Sequence, residues 1–199
     1  GTVYGWERPN WFAPPGYALS EADLAKPDVL LNANHPAAAP GEKIRERWSF
    51  RRSNYFDFVG AECRNVHDNV GIQDMTAFAK ALVSGPGAEA WLDAILANRV
   101  PKKVGRIGLC HLLTARGGVR SEFTVCRTGP ESFYLVSAGA LERHDHDILA
   151  KLLPRDGSVA FQPVTAQRGV LVIAGPNARR LLAKLTDADL STAAFPWLS

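Results

Sequence analysis

The chain has 199 residues, 46% hydrophobic and 22% charged, a balance that supplies a core and excludes a disordered chain. Its 23 basic and 20 acidic side chains leave a formal charge of +3, too small and dispersed an excess to predict a nucleic-acid partner. The three cysteines, Cys63, Cys110 and Cys126, form no C-x-x-C pair, which excludes a disulfide framework and a thiolate zinc site as expectations.

In chain order, residues 1–41 carry six prolines, at positions 9, 14, 15, 27, 36 and 40, too many for long helices or central strands. Trp6, Trp11, Phe12 and Tyr17 lie among them, so this part is expected to be an extended segment whose aromatics pack on another surface. The densest basic stretch, "EKIRERWSFRRS" at 42–53, reads as a solvated linker or helix face. Residues 54–69 put apolar side chains near one helical face. Short strands follow in "VGIQDMTAFAKALVSGPGA", with a turn at 84–87. Residues 87–101 read as the clearest helix, with Ala88, Trp91, Leu92, Ile95 and Leu96 at helical spacing and Pro101 as its limit.

From 104 to 138 the period changes to two. Three strands are expected there, joined by turns at Gly117–Gly118 and at "TGPES". Cys110 and Cys126 fall in these strands and read as buried structural thiols. A second helix is expected over 141–157, stopped by Pro154. "VAFQPVT" and "RGVLVIAG" read as two more strands, and a third helix is expected over 175–186, opened by Pro176. The fold class is α+β, with mainly antiparallel sheets and packed helices. No apolar run approaches the ~20 residues that cross a bilayer and no signal peptide is evident. No membrane partner is expected, and the odd, unpaired cysteines imply reduced thiols and a cytoplasmic compartment, or the mitochondrial matrix if the source is eukaryotic.

Candidate chemistry is sparse. His144 and His146 alternate with Asp145 and Asp147, but i, i+2 spacing does not share a helix face. With no third ligand nearby, no metal site is expected and the stretch reads as a solvated helix start. The glycines of "GPGAEAWL" and "IAGPNARRLL" match neither a dinucleotide fingerprint nor a P-loop. No G-x-S-x-G is present. One feature remains, "GGVRSEFTV". Gly117 and Gly118 permit a tight hairpin, and strand alternation then sets Glu122 and Thr124 on one face and Phe123 and Val125 on the other.

The run "GRIGLCHLLTARGGVRSEFTVCR", continued by "FYLVSAGALERHD" and "GVLVIAGPNARRLLAKLTDADLS", resembles the tetrahydrofolate-binding aminomethyltransferases, the family of the glycine cleavage T-protein. "YGWERPNWF" at 4–12 is similar to the segment leading out of the flavin domain in dimethylglycine and sarcosine dehydrogenases. The resemblance covers nearly the whole chain. It implies a glycine cleavage T-protein-like folate-binding fold, with residues 1–53 as a lead-in from a flavin domain and residues 54–199 as the N-terminal part of the folate-binding domain. The chain is then expected to be a fragment that self-associates or is only marginally stable, and that need not be active alone.

The resemblance further implies an oxidoreductase of one-carbon metabolism. FAD, in an upstream domain only, oxidises an N-methylated glycine, and the one-carbon unit passes to tetrahydrofolate to give 5,10-methylenetetrahydrofolate. Alternatives within the same fold are a folate-dependent demethylase of sulfonium compounds that uses no flavin, and a folate-binding module without catalysis. The family's acid beside the reacting ring falls on Glu122, where Asp is commoner, and is implied to orient the cofactor and move protons. Phe78, Leu109 and Val136 fall on ring-lining positions. The partners so implied are small molecules, folate and the N-methylated glycine.

Overall fold

The computed structural model describes residues 2–3, 6–7, 12, 14–18, 52 and 55–199. In chain order they form β1 (Thr2–Val3), β2 (Trp6–Glu7), α1 (Phe56–Asp68), β3 (Gly71–Asp74), β4 (Ala79–Ser84), α2 (Ala88–Ile95), β5 (Leu96–Ala97), β6 (Ile107–Leu113) and β7 (Val119–Gly129). There follow β8 (Ser132–Ser137), α3 (Glu142–Leu152), β9 (Ala160–Pro163), β10 (Leu171–Ala174) and the single-turn α4 (Ala178–Leu182). The chain divides into two compact units, residues 1–71 with 174–178, and residues 72–173 with 179–199.

In the first unit β1 and β2 form a small antiparallel pair, with Thr2 opposite Glu7 and Val3 opposite Trp6. Helix α1 buries none of its residues. Phe58 on α1 meets the ring of Tyr17 edge-on at 5.1 Å, so one expected aromatic contact of the proline-rich segment is present. Phe12 is instead 75% exposed, and Trp11 lies outside the described residues, as does all of the basic stretch 42–53 but Arg52. The end of α1 is closed by Asn65 Nδ2 donating to the Val70 carbonyl at 2.9 Å. Gly175 approaches this end so closely that a Cβ there would lie 2.5 Å from the Asn69 carbonyl oxygen.

In the second unit β3 pairs with β10, and a six-stranded sheet runs in the order β5-β6-β7-β8-β4-β9. Each neighbouring pair in that sheet is antiparallel, as the period-two reading of 104–138 predicts. Alternation sorts the two faces. Ser121, Phe123, Val125 and Arg127 of β7 are buried, as are Phe133, Leu135 and Ser137 of β8. Against them pack Trp91 and Leu92 of α2 and Ile148 and Leu149 of α3. Trp91 Nε1 donates to the Leu152 carbonyl at 2.7 Å, tying the two helices together. Burial of each of these large apolar side chains contributes about 1.5–3 kcal/mol.

Two expectations are corrected. The helix predicted over 87–101 stops at Ile95 because Leu96 turns extended and pairs with Leu112; a ladder position in the core outweighs helix propensity. The stretch 142–149 is not a solvated helix start throughout. Asp145 is 1% exposed and accepts a hydrogen bond from the Ser121 hydroxyl of β7, while His146 packs edge-on against Phe161 with ring centroids 5.5 Å apart. Asp145 faces the sheet because positions 145, 148 and 149 of α3 share one side. The expected thiol burial holds for Cys110, whereas Cys126 is half-buried; burial pushes both thiols above their usual range. No helix among the described residues is long and apolar enough to cross a membrane.

Candidate functional site

The sheet face opposite the packed helices carries most of the residues singled out above. The hairpin between β6 and β7 closes with Thr114 N donating to the Gly118 carbonyl at 2.8 Å and Gly117 N to the Thr114 carbonyl at 2.9 Å. Gly117 takes φ +81°, which a side chain would resist, while Gly118 keeps an ordinary backbone. Just past the turn the ladder slips by one residue. Leu113 is opposite Val119, but Leu112 is opposite Ser121 and His111 opposite Glu122. The extra residue, Arg120, makes a β-bulge.

That bulge sets Glu122 directly across from His111, with Oε2 3.1 Å from His111 Nε2. Side-chain exposures are 59% for Glu122 and 32% for His111. The carboxyl is thus held by one oxygen at a solvent-facing position. Its Oε1 has no hydrogen-bond partner among the described residues.

The next register row crosses four strands. Leu109 is opposite Thr124, Thr124 opposite Val136, and Val136 opposite Lys80. Residues opposite one another in an antiparallel ladder share a face, so Leu109, Val136 and Glu122 lie on one surface in adjacent rows. Leu109 is exposed to 46% although apolar, and Thr124 and Val136 are half-buried.

Phe78 is half-buried in the bend just before β4. Its placement is set by neighbours. Phe78 N donates to the Met75 carbonyl at 3.1 Å, and the Gly139 backbone lies so near that a Cβ there would come 1.8 Å from the Ala77 carbonyl oxygen. Gly139 follows β8, so its closeness brings the Phe78 bend beside the strand end that carries Val136. Lys80 clamps the bend from within. It is fully buried, and its Nζ donates to the carbonyls of Thr76 at 2.8 Å and Arg168 at 2.7 Å. Asp74 accepts from Thr76 N at 2.8 Å, and the Thr76 hydroxyl, then its amide, hold the Asp74 carboxyl below its usual range.

The four sequence-predicted residues therefore come together on the strands and bend of one sheet, Glu122 beside the row of Leu109 and Val136, with Phe78 at that row's far end. His111 and Lys80 were not foreseen. Lys80 is an alternating-strand cation with no sequence signal of burial. His111 sits at ordinary strand spacing, and only the bulge reveals its partner.

The model of the family described as "GCVT N-terminal domain" matches residues 1–199. Among curated relatives, the mouse mitochondrial dimethylglycine dehydrogenase is 37% identical over 98% of this chain and 19% of its own length. The human mitochondrial sarcosine dehydrogenase is 28% identical over 98% of this chain and 22% of its own. The chain thus spans about one fifth of these relatives. Among solved structures, the glycine cleavage system aminomethyltransferase T of Bartonella henselae superposes with a TM-score of 0.57 at 23% identity, over 62% of this chain and 34% of that one, a likeness of fold.

Proposed function

This chain belongs to the GCVT N-terminal domain family, and on that premise we propose that it is the folate-binding part of a dimethylglycine or sarcosine dehydrogenase-like oxidoreductase, serving transfer of a one-carbon unit from an N-methylated glycine to tetrahydrofolate to give 5,10-methylenetetrahydrofolate. The observation that carries the reading is the single sheet face on which Leu109, Thr124 and Val136 form one register row and Glu122 stands in the next. A flat, partly apolar ring with polar edges fits such a face: apolar side chains to lie on, a hydroxyl beside them, and a solvent-facing carboxyl at the margin. The relatives named above support the same assignment, and the flavin that oxidises the amine would belong to another part of the parent enzyme.

Tetrahydrofolate supplies, when bound, the ring nitrogens that take up the one-carbon unit. The protein's own part is positional and acid–base. His111 fixes Glu122 through Oε2, which leaves Oε1 to orient the ring and to hold or pass a proton there. Leu109, Val136 and Phe78 exclude water from the apolar side of the ring. Lys80 works at one remove, by keeping the Phe78 bend in place.

The test is calorimetric titration of this chain with tetrahydrofolate, with Glu122→Ala alongside. Loss of a hydrogen bond to a charged group is worth about 1.5–3 kcal/mol, so the dissociation constant is expected to rise at least about tenfold. Equal affinity for both proteins would remove Glu122 from the site. Absence of binding to either would overturn the reading for this chain.

A further inference from the structure

A second feature of the same unit lies at the opposite end of β6 from the Glu122–His111 pair, where Ile107 shares the strand face of Leu109 and His111. The segment 98–106 crosses the end of β6 and borders an open cleft of about 630 Å³ lined by Arg99, Lys102, Lys103 and Arg106, with Ile107 and Pro196 as half-buried apolar residues. No acidic residue among the described residues lines it. Lys102 is paired, with Glu89 at 2.8 Å. Arg99, Lys103 and Arg106 make no ion pair with any described residue. With Lys102 compensated by Glu89 and, at 3.9 Å, by Asp93, the three remaining cations Arg99, Lys103 and Arg106 share one cleft without a described counter-charge, and their like charges repel.

The cleft is also built rather than draped. Asn98 adopts φ 83° and its Nδ2 donates to the Leu109 carbonyl at 2.6 Å, which fixes the entry of the segment. Gly105 N donates to the Arg127 carbonyl at 2.8 Å and Arg127 N to the Arg106 carbonyl at 2.9 Å, which fixes its exit. Behind it the buried Arg127 guanidinium donates to the Pro101 carbonyl at 3.2 Å and to Glu89 Oε2 at 2.5 Å. Gly108 lets the segment lie close, since a Cβ there would come 3.3 Å from Pro101 Cγ. The cations thus project from a backbone anchored at both ends, a geometry that costs little ordering when a ligand arrives.

We propose that this cleft is a binding site for a small multivalent anion, bearing carboxylates or phosphates and an apolar portion that Ile107 and Pro196 accept. Ile107 and His111 are four strand residues apart, about 13 Å, so the site is set off from the Glu122–His111 pair. Planar guanidinium groups of Arg99 and Arg106 suit bidentate contacts to either oxyanion, and Lys103 adds a point charge.

The experiment is calorimetric titration of this chain with citrate and, separately, with tripolyphosphate, in buffer of low ionic strength where exposed charges are least screened. Three proteins are compared with the wild type: Arg99→Gln/Lys103→Gln/Arg106→Gln, a control that removes equal charge elsewhere on the surface (Arg143→Gln/Arg155→Gln/Lys184→Gln), and Glu122→Ala. Binding of at least one probe with one-to-one stoichiometry is expected, and the tighter probe identifies the oxyanion. The cleft triple should weaken it about tenfold, the equivalent of ~1.4 kcal/mol, while the control triple and Glu122→Ala leave it within about threefold. No saturable binding of either probe would overturn the proposal, as would equal weakening by the two triples, the signature of attraction to net charge alone. Because Glu122→Ala reads the folate face separately, failure here leaves the functional reading untouched.

Discussion

The buried contact between Ser121 and Asp145 offers a direct test of how β7 is held while it presents Glu122, the next residue. Ser121 and Asp145 are 3% and 1% exposed. The Ser121 hydroxyl donates to Asp145 Oδ1, which also lies 3.1 Å from His144 Nδ1. Asp145 Oδ2 is buried and has no hydrogen-bond partner among the described residues. Changing Ser121→Ala removes the one donor that comes from the sheet and leaves an acceptor buried with less compensation. Such an unsatisfied group costs about 1–3 kcal/mol. For a chain of this size that corresponds to a fall in Tm of about 2–4 °C per kcal/mol. The carboxyl already carries one orphan oxygen, so the upper half of the range is expected, about 2–3 kcal/mol. Asp145→Leu alone strands the hydroxyl instead. The double variant Ser121→Ala/Asp145→Leu replaces both polar partners with apolar groups, and such a replacement can approach neutrality. The measurement is urea unfolding of the four proteins followed by tryptophan fluorescence, read as a double-mutant cycle with equal m-values. The expected coupling exceeds about 1 kcal/mol, with the double variant more stable than the sum of the singles predicts. Additive losses, or a Ser121→Ala cost below about 0.5 kcal/mol, would refute the argument that this pair holds α3 against β7.

Two other expectations concern the scaffold. At Gly139 a methyl group would come 1.8 Å from the Ala77 carbonyl oxygen, and the atoms it would meet are the backbone of Ala77 and Phe78 rather than a flexible side chain. Gly139→Ala should therefore destabilise the chain by roughly 1–3 kcal/mol through overpacking and weaken tetrahydrofolate binding by shifting the Phe78 bend, both checked by thermal melts and titration. The second expectation is a pH dependence. Glu89 is held below its ordinary value of 4.5 by Lys102 first and Arg127 second. A carboxyl depressed in the folded state contributes stability that is fully present above its unfolded value and is lost as pH falls through the folded one. Asp74, Asp156 and Asp189 are depressed as well, through hydrogen bonds from Thr76, Ser158 and Ser191. Stability should hold from neutrality down to about pH 5 and fall below that, and Glu89→Gln should flatten the decline, as measured by unfolding midpoints across pH 3–7.

Much of the second unit was legible because its physics is local. Period-two alternation in 104–138, the glycines of the hairpin and the "TGPES" turn specify β6, β7 and β8, and they also specify that Glu122 and Thr124 face away from Phe123 and Val125. Helical spacing in 141–157 specifies α3, though its pattern cannot say that Asp145 faces the sheet, since a carboxyl is ordinarily solvated. Residue identity also exposed the kinship with folate-binding aminomethyltransferases. The end of α2 was not legible, because Leu96 is a fair helix former and only its pairing with Leu112 draws it into the sheet. Nor were Lys80 and its two carbonyl acceptors, Thr76 and Arg168, of which the second is 88 residues further along the chain.

The site itself shows the same division. That a carboxyl would stand near the mouth of a strand was determined by composition and spacing alone. Its neighbour was not. A ladder continued without slip from Leu113 and Val119 would set His111 opposite Ser121, and the single extra residue at Arg120 sets it opposite Glu122 instead. A one-residue change of register exchanges the faces of a strand, and what selects between the two is which side chains the rest of the fold can bury. Here Ser121, Phe123 and Val125 are taken by the core that α2 and α3 complete, and Glu122 is left to the open face because tertiary packing has claimed its neighbours.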